Sequence, residues 1–296
     1  MDSLIQILIN AFQSGAVYVI FSLGLTLVFG VMKIVNFAHG EFYTAGAFIT
    51  YLFLQQWNMA ASLGIPPLIA YLITFIFAVL IVGGMGYVLE LAIFSRFRSD
   101  MTSGLIVSLG LSMILQMAFL MMFGGSAQSV PSIFEGTTNI IGGTIANERI
   151  AIFFIALSLT IVLYYLLKKT KIGKAMRAIS QDKEAAELQG INYNSVSRWG
   201  FVIGAVLAAM AGVLVAPASV VEPFIGSAYL MKAFIIIILG GMGSIPGCII
   251  AGFILGIIES FGVFYFDIAL ATTFSFVLVI LMLLIRPQGL MGHVSK

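Results

Sequence analysis

Charged residues are scarce in this chain of 296 residues. Asp, Glu, Lys and Arg together make up 9% of it, against about 25% in an ordinary soluble domain, and 61% of the residues are hydrophobic. So few charges cannot cover the surface of a water-soluble globule of this size, and the composition predicts an integral membrane protein in a lipid bilayer. The same figures exclude disordered, collagen-like and disulfide-rich classes. The net charge of +2 is too small for a nucleic-acid footprint, so no nucleic-acid partner is expected.

Cysteine and histidine are almost absent, and this excludes most disulfide and metal chemistry. The lone cysteine, Cys248, lies in an apolar run and cannot form an intramolecular disulfide. The two histidines, His39 and His293, lie near opposite ends of the sequence, so no His/Cys metal cluster is expected. His39 has no Ser or Cys partner for nucleophilic catalysis, which argues against an enzyme. The chain also lacks the Gly-Lys-Ser/Thr sequence of phosphate-binding loops, so any ATP must be hydrolysed by another subunit and no cofactor is expected here.

Long apolar runs are what the sequence has instead. Crossing the hydrocarbon core takes about 20 apolar residues in a helix. The runs are continuous and do not alternate with period 2, which favours helices over a β-barrel. Long candidate spans lie near residues 4–31, 67–92, 103–123, 150–167, 197–216, 246–266 and 268–285, and two shorter ones lie near 41–56 and 229–242. The prediction is an all-α polytopic membrane bundle with about 8–9 spans, some short or broken.

The basic residues are concentrated in one polar segment. Seven of the fourteen Lys and Arg residues lie there: Lys168, Lys169, Lys171, Lys174, Arg177, Lys183 and Arg198. The loops near 57–66 and 217–228 contain none, so the positive-inside rule predicts that 168–196 is cytoplasmic. Counting spans from there puts the N-terminus outside and the C-terminus, with Arg286 and Lys296, inside if both short candidates cross.

Small residues recur every four positions in two apolar segments. One series is Gly204, Ala208 and Gly212, and the other is Cys248, Gly252, Gly256 and Ser260. Small residues let helix backbones approach closely in lipid, where no hydrophobic drive acts between helices. These series predict packing seams, either inside the chain or against a partner.

The most unusual segment places polar residues between two apolar runs, at Asn36, His39, Gly40, Glu41 and Tyr43. Asn36, Gly40 and Tyr43 are expected to share one helical face. Ionisable groups near the membrane interior cost roughly 2.5–3.5 kcal/mol each on insertion scales. One interpretation is a polar break that lines a pathway or binds substrate. The other is that His39 and Glu41 lie at the cytoplasmic boundary with Lys33 and merely cap two helices.

A second break is rich in glycine, at Gly240, Gly241, Gly243 and Pro246. Such a sequence cannot continue a straight helix, and interruptions of this kind often mark a transport pathway. It is therefore either a gate or a tight turn between two spans. Lys232 and Glu259 are further ionisable residues within apolar runs, and they either pair or extend separately toward an interface.

The polar segment at 171–192 reads KIGKAMRAISQDKEAAELQGIN. The otherwise charged, helix-prone sequence offers apolar contacts at Met176, Ile179, Ala186 and Leu188. Gly190 is well placed to end a helix. The segment is either a short helix that inserts into a groove on a partner or a solvated loop that only sets topology. The chain is predicted to be a single membrane domain over 1–296, with this loop at about 170–196.

Four sequences together resemble one known family over nearly the whole chain. They are NFAHGEF at 36–42, RAISQDKEAAELQGI at 177–191, ILGGMGSIPG at 238–247 and RPQGL at 286–290. In order and spacing they resemble the branched-chain amino acid permeases of ATP-binding-cassette (ABC) importers. The Asn-Phe-Ala-His-Gly-Glu form looks like the shorter of the two paired permease subunits, the LivH type.

The resemblance implies a multi-subunit importer in a bacterial plasma membrane. A second homologous permease would complete the pore, two cytoplasmic ATPase subunits would use ATP and Mg²⁺, and an extracytoplasmic binding protein would deliver leucine, isoleucine or valine. Residues 171–191 look like the helix that couples to an ATPase, with candidates Gly173, Arg177, Asp182, Glu184, Ala185, Ala186 and Gly190. Glu184, Ala185, Ala186 and Gly190 match the Glu-Ala-Ala-x-x-x-Gly signature of importer permeases, but the Ile-x-Leu-Pro tail found in some importers is missing.

Two alternatives stay open on the sequence alone. Permeases for urea and short amides resemble this family closely, and the substrate is selected largely by a binding protein outside this chain. A stand-alone passive channel belongs to a different class and would need no ATPase-docking element.

Overall fold

The computed structural model describes residues 2–98, 100–140 and 143–292; His293 and Lys296 lie outside the described residues. The described chain is a helical bundle with one β-hairpin. Its helices are α1 (Asp2–Met32), α2 (His39–Tyr51), α3 (Met59–Leu63), α4 (Pro67–Ala92), α5 (Met101–Phe123), α6 (Asn147–Lys169), α7 (Lys171–Gln181), α8 (Lys183–Leu188), α9 (Tyr193–Val215), α10 (Ile225–Gly240), α11 (Ile245–Tyr265) and α12 (Ile268–Ile285). A π-helical turn (Leu52–Gln56) extends α2, and two 3₁₀ turns cover Phe94–Arg96 and Ala216–Ala218.

Seven helices in the described part of the chain are long and apolar enough to cross a membrane: α1, α4, α5, α6, α9, α11 and α12. Two shorter helices, α2 with its π-helical extension and α10, coincide with the two short candidates from the sequence. The predicted all-α membrane bundle is confirmed, and the count of nine candidates is reached when both short helices are included.

α1 forms the centre of the bundle and packs against α6, α9, α10 and α11. The predicted small-residue seams lie along the α1–α9 and α1–α11 interfaces, and Gly212 extends the first onto the Tyr43 backbone of α2. A Cβ at Gly204 would meet the Gly24 carbonyl oxygen at 2.9 Å, and one at Gly24 would meet the Gly204 oxygen at 2.7 Å. On α11, a Cβ at Gly256 would meet the Ala11 oxygen at 2.5 Å. The seams therefore serve packing inside the chain, because only glycine lets these backbones touch.

One end of the bundle carries α7 and α8 and is called here the helical end. Both helices are capped by side chains: Thr170 accepts a hydrogen bond from the Gly173 amide at 3.1 Å, and Asp182 from the Ala185 amide at 3.0 Å. α7 buries Met176 and Ile179. The sequence predicted a single short helix here, but the cap at Asp182 divides it in two.

The other end carries an antiparallel hairpin of β1 (Thr137–Ile140) and β2 (Gly143–Ala146) and is called here the hairpin end. α6 runs from this hairpin to α7, so the two ends are about 34 Å apart at 1.5 Å per residue. Glu148 in the first turn of α6 is buried and accepts hydrogen bonds from Ser132 Oγ and from the amides of Ile133 and Phe134, at 2.7–2.9 Å. This carboxylate holds the loop before the hairpin in place.

An ion-pair cluster joins α4, α9 and the loop before α5 at the helical end. The Glu90 side chain, near the end of α4, is fully buried and bonded to Arg98 and to Arg198 Nε, the latter at 3.2 Å. Asp100 caps α5 by accepting from the Thr102 amide at 3.0 Å. Hydrogen bonds from the Ser103 hydroxyl and from Thr102 hold the pKa of Asp100 below its ordinary value.

Candidate functional site

Two short, interrupted membrane crossings enter the bundle and are called here the broken crossings. The first consists of residues 33–56 and begins where α1 ends. Lys33 adopts a left-handed conformation with φ +56°, which reverses the chain at the helical end. The following residues run without regular secondary structure beside α5. The Phe37 amide donates to Ser108 Oγ at 3.1 Å, and that hydroxyl is shared between the Leu105 oxygen at 2.8 Å and the Val35 oxygen at 3.2 Å. Ser108 thus satisfies backbone groups that have no helical partner.

α2 begins deep inside the bundle. His39 is fully buried, and its Nε2 lies 3.1 Å from the Phe21 carbonyl oxygen. Phe21 precedes the end of α1 by eleven residues, so this contact lies about 16 Å from the helical end. Asn36 is also buried, and its Oδ1 accepts from the Ala38 amide at 3.1 Å.

These positions correct two expectations. Asn36 lies before α2 and cannot share a helical face with Gly40 and Tyr43. His39 and Glu41 are 0% and 1% exposed, so they do not lie at the boundary of the bundle. Lys33, the third residue of the boundary interpretation, does lie at the helical end, where its Nζ donates to the Ser180 oxygen at 3.3 Å.

Glu41 organises a polar cluster where α2, α5 and α10 meet. Its Oε1 accepts from Ser112 Oγ at 3.0 Å and from Gln116 Nε2 at 2.8 Å. Gln116 also donates to Ser227 Oγ at 2.9 Å. These four residues are called the Glu41 cluster. The carboxylate lies in the first turn of α2, where the positive end of the helix dipole stabilises a negative charge.

The second broken crossing consists of residues 219–240, which include α10, and enters from the hairpin end. After α9 and its 3₁₀ turn, Val221 pairs with Gln128 as an isolated antiparallel bridge, and α10 begins at Ile225. The Gly226 amide then donates to Thr44 Oγ1 of α2 at 3.1 Å. A Cβ at Gly40 would meet the Gly226 carbonyl oxygen at 2.7 Å. The N-terminal turns of α2 and α10 therefore meet inside the bundle.

Aromatic rings surround this meeting point. The Tyr43 and Tyr229 rings stack with centroids 4.3 Å apart, three residues after Gly40 and Gly226 respectively. The sequence analysis identified Gly40 and Tyr43 but missed Gly226 and Tyr229. The repeated Gly-x-x-Tyr spacing at the start of both short helices could have indicated them. Ser112 and Gln116 carried no such signal, because isolated polar residues on a long apolar helix are common.

The glycine-rich break at 240–247 is a tight turn between α10 and α11. Gly241 and Gly243 have φ of +100° and +84°, and Ser244 Oγ accepts from the Gly247 amide at 3.2 Å. The chain after α12 packs on it, with the Met291 amide donating to the Gly240 oxygen at 3.0 Å. Pro246 lies in the first turn of α11. The turn lies at the helical end, beside Gly30, and is not brought together with the Glu41 cluster.

The predicted coupling residues divide into two groups. Most of them build the local fold. Arg177 donates to the Leu167 oxygen at 2.5 Å at the end of α6, Gly173 packs on the Leu167 backbone, Asp182 caps α8, Ala186 is buried, and Gly190 has φ +81°. Glu184 and Ala185 are exposed. Of the four apolar residues named in the sequence, Met176, Ile179 and Ala186 are buried, whereas Leu188 is 88% exposed at the end of α8.

Lys232 and Glu259 pair. The Lys232 Nζ lies 2.5 Å from Glu259 Oε1. Both side chains are also hydrogen-bonded to the Tyr18 hydroxyl of α1. The sequence left open whether these two residues pair or extend separately toward an interface, and the structure shows that they pair. Among the residues that the structure describes, no three His, Cys, Asp or Glu side chains are grouped so as to hold a metal ion.

The comparisons with known proteins agree with the resemblance. The family described as "Branched-chain amino acid transport system / permease component" matches residues 7–286. The high-affinity branched-chain amino acid permease protein BraD of Pseudomonas aeruginosa is 32% identical over 98% of this chain and 96% of its own length. The corresponding LivH of Escherichia coli K12 is also 32% identical, with the same coverage.

A more distant similarity is limited to part of the chain. The ribose import permease protein RbsC of Haemophilus influenzae is 32% identical over 31% of this chain. No solved structure gives a significant match. The family match over nearly the full length and the two relatives, together with the bundle of membrane-spanning helices, lead to one conclusion. This chain belongs to the branched-chain amino acid transport permease family, whose members are membrane-spanning transport subunits.

Proposed function

We propose that this chain is the permease subunit of a high-affinity ABC importer for leucine, isoleucine and valine. It forms the translocation pathway with a second, homologous permease. The names of the BraD and LivH relatives, which are similar over nearly the whole chain, support this substrate class. A mostly apolar pathway with a few polar groups suits side chains of this kind.

The observation that carries a transport function is the meeting of two broken crossings inside the bundle. Interrupted helices whose N-termini lie at membrane depth are typical of substrate sites in transporters. Here the N-terminal turns of α2 and α10 meet at Gly40 and Gly226, next to the Glu41 cluster. Asn36, His39, Gly40, Glu41 and Tyr43 are the proposed pathway or gate residues at this point.

The second gate candidate lies at the helical end. The turn at Gly240, Gly241, Gly243 and Pro246 joins α10 to α11, so a movement of this turn changes the position of one broken crossing directly. We assign it to the cytoplasmic mouth of the pathway, where the chain after α12 packs on it.

The α7–α8 segment supports coupling to an ATPase. α7 is held on the bundle by Arg177 and by its buried Met176 and Ile179, so a force on this segment reaches α1, α6 and α9. α8 instead presents Glu184, Ala185 and Leu188 to the outside. Such an exposed leucine on a polar helix suits insertion into a groove on another protein.

The proposed assembly follows from this assignment. Two ATPase subunits dock at the helical end, bind ATP and Mg²⁺ and hydrolyse the ATP, while this chain holds no cofactor. The positive-inside rule then makes the helical end cytoplasmic in a bacterial plasma membrane, with the N-terminus outside and the C-terminus inside. A substrate-binding protein docks at the hairpin end and delivers the amino acid.

Uptake of radiolabelled leucine tests this function in cells with and without the gene. The expected result is that leucine uptake is lost on deletion and that isoleucine and valine, but not urea, compete for uptake in the parent strain. Unchanged leucine uptake with loss of urea or amide uptake would keep the importer architecture and overturn the substrate. Leucine that still equilibrates through the chain in cells without the ATPases would instead indicate a passive channel.

A further inference from the structure

Lys232 and Glu259 form an ion pair inside the membrane-spanning bundle that the proposed function leaves unused. Their contact with Tyr18 places them near the middle of α1, since Tyr18 lies fourteen residues, or about 21 Å, from the end of this helix at Met32. Ionisable residues at such depth are expensive and tend to mark substrate or ion pathways.

The pair has unused bonding capacity. Lys232 Nζ donates to Glu259 Oε1 at 2.5 Å and to the Tyr18 hydroxyl at 2.7 Å, while that hydroxyl donates to Glu259 Oε2 at 2.5 Å. An ammonium group has three donors and a carboxylate has about four lone-pair positions. One donor of Lys232 and two acceptor positions of Glu259 therefore remain after these three bonds.

The pair is also open on one side. The Lys232 and Glu259 side chains are 27% and 15% exposed. Toward the hairpin end, the residues one helical turn away are exposed: Ala228 on α10 and Val263 on α11. Toward the helical end, the residues one turn away, Ile236 and Leu255, are buried. The charges therefore lie where the packed part of α10 and α11 gives way to an open face.

We propose that Lys232 and Glu259 together bind the charged groups of a zwitterionic amino acid during its passage; this assignment rests on the proposed function. The carboxylate of the amino acid pairs with Lys232 and its ammonium group with Glu259, and the four charges alternate in sign. Ala228 and Val263 contact the aliphatic side chain on the open face. The added ligand is neutral overall, so no charge remains uncompensated in a poorly solvated place.

This arrangement distinguishes substrate classes. A zwitterion brings an opposite full charge to each member of the pair, whereas urea, a short amide or a sugar brings only neutral donors and acceptors and gains no ion–ion attraction. Tyr229 connects the ion pair to the broken crossings. Its ring contacts the Tyr18 ring edge-on, with centroids 6.0 Å apart, and stacks on the Tyr43 ring. Binding at the pair is thus in contact with the aromatic residues of the two broken crossings.

A purely structural role predicts a different response to mutation. If the pair only fastens α10 to α11, exchanging the two charges preserves the ion pair and transport. If the pair recognises a zwitterion, the exchange reverses the orientation of the ligand relative to Ala228 and Val263, and transport is lost although the pair remains. The test therefore uses the double variant Lys232→Glu/Glu259→Lys in the complete transport system.

Radiolabelled leucine uptake and the amount of assembled complex on blue-native gels are measured together. We expect normal assembly with uptake reduced about tenfold or more. Uptake near that of the unaltered chain overturns the assignment. If the exchange prevents assembly, the neutral pair Lys232→Met/Glu259→Gln decides: assembly with leucine uptake retained overturns the assignment, and assembly with uptake lost supports it. Uptake by the unaltered system separates the two possible failures. If that system takes up urea or amides instead of leucine, the proposed function has failed, whatever the variants do.

Discussion

The rings of Tyr43 and Tyr229 stack 4.3 Å apart at an angle of 25°, and they join two helices that enter the bundle from opposite ends. Phe21 of α1 contacts both rings edge-on, with centroids 5.6 and 6.2 Å away. Each tyrosine follows its helix's first glycine by three residues, and those glycines touch through their backbones. The two broken crossings therefore cannot shift independently at this point.

Gly226→Ala is expected to destabilise the protein. The added Cβ would overlap the Gly40 carbonyl oxygen and lie 2.5 Å from Thr44 Oγ1, so α2 and α10 would have to separate. Overpacking of this kind costs about 1–3 kcal/mol. The melting temperature of the detergent-solubilised protein, followed by size-exclusion chromatography, should fall.

Gly84→Ala is the matched control, because a Cβ at Gly84 meets nothing within 4 Å. An unchanged or raised melting temperature is expected there, since alanine favours a helix over glycine by roughly 0.5–1 kcal/mol. Equal stability of both variants would contradict the close contact of Gly226 with Gly40.

Glu41→Gln tests the charge in the Glu41 cluster. Glutamine keeps the shape and can still accept from Ser112 and Gln116, but it removes the negative charge at the first turn of α2. We expect normal assembly and leucine uptake reduced by about tenfold, as for the loss of one charge-assisted contact. The control is Ser158→Ala on the exposed face of α6, which should leave uptake unchanged. Normal uptake by both variants would make the Glu41 charge irrelevant to the pathway.

Leu188→Asp tests the docking of α8. The side chain is 88% exposed, so the substitution should not disturb the fold of this chain, but a buried aspartate in an ATPase groove would be costly. Co-purification of the ATPase subunits is expected to fall strongly. Thr144→Asp, on the exposed hairpin at the opposite end, serves as the control. Retention of the ATPases by Leu188→Asp would show that α8 does not dock there.

Glu90→Gln should destabilise the helical end. The change leaves Arg98 and Arg198 close together without the buried carboxylate that both contact. A cost of about 1–3 kcal/mol is expected for the unsatisfied charged groups. Thermal unfolding measures it, with the exposed Glu184→Gln as a control that should change little. If the two variants melt at the same temperature, the cluster does not stabilise the fold.

The helices and their approximate ends could be predicted from the sequence because membrane spans depend on length and hydropathy, which are local. The breaks at Asn36–Tyr43 and Gly240–Gly247 were also visible, since Gly, Pro and polar residues interrupt apolar runs. Their relative positions were not visible. The depth of His39 depends on its contact with Phe21, and the Glu41 cluster depends on Ser112 and Gln116 of a distant helix.

The coupling segment shows the same limit. The resemblance gave one set of coupling candidates without separating their roles. In the structure Arg177, Asp182 and Gly190 hold or end helices. The candidates Glu184 and Ala185 are exposed on α8, together with Leu188. A motif gives residue types in order, and only packing shows which side chains turn inward. The pairing of Lys232 with Glu259 likewise required the contact between α10 and α11.

ATP-driven accumulation in proteoliposomes tests the central claim most directly. The purified complex of this chain, its partner permease and the ATPases is reconstituted with ATP on the side of the ATPases and a leucine-loaded binding protein on the other. The account predicts that leucine accumulates above its starting concentration on the ATPase side only when ATP, Mg²⁺ and the binding protein are all present. Equilibration of leucine without ATP, or no movement of leucine by a complex that hydrolyses ATP, would contradict it.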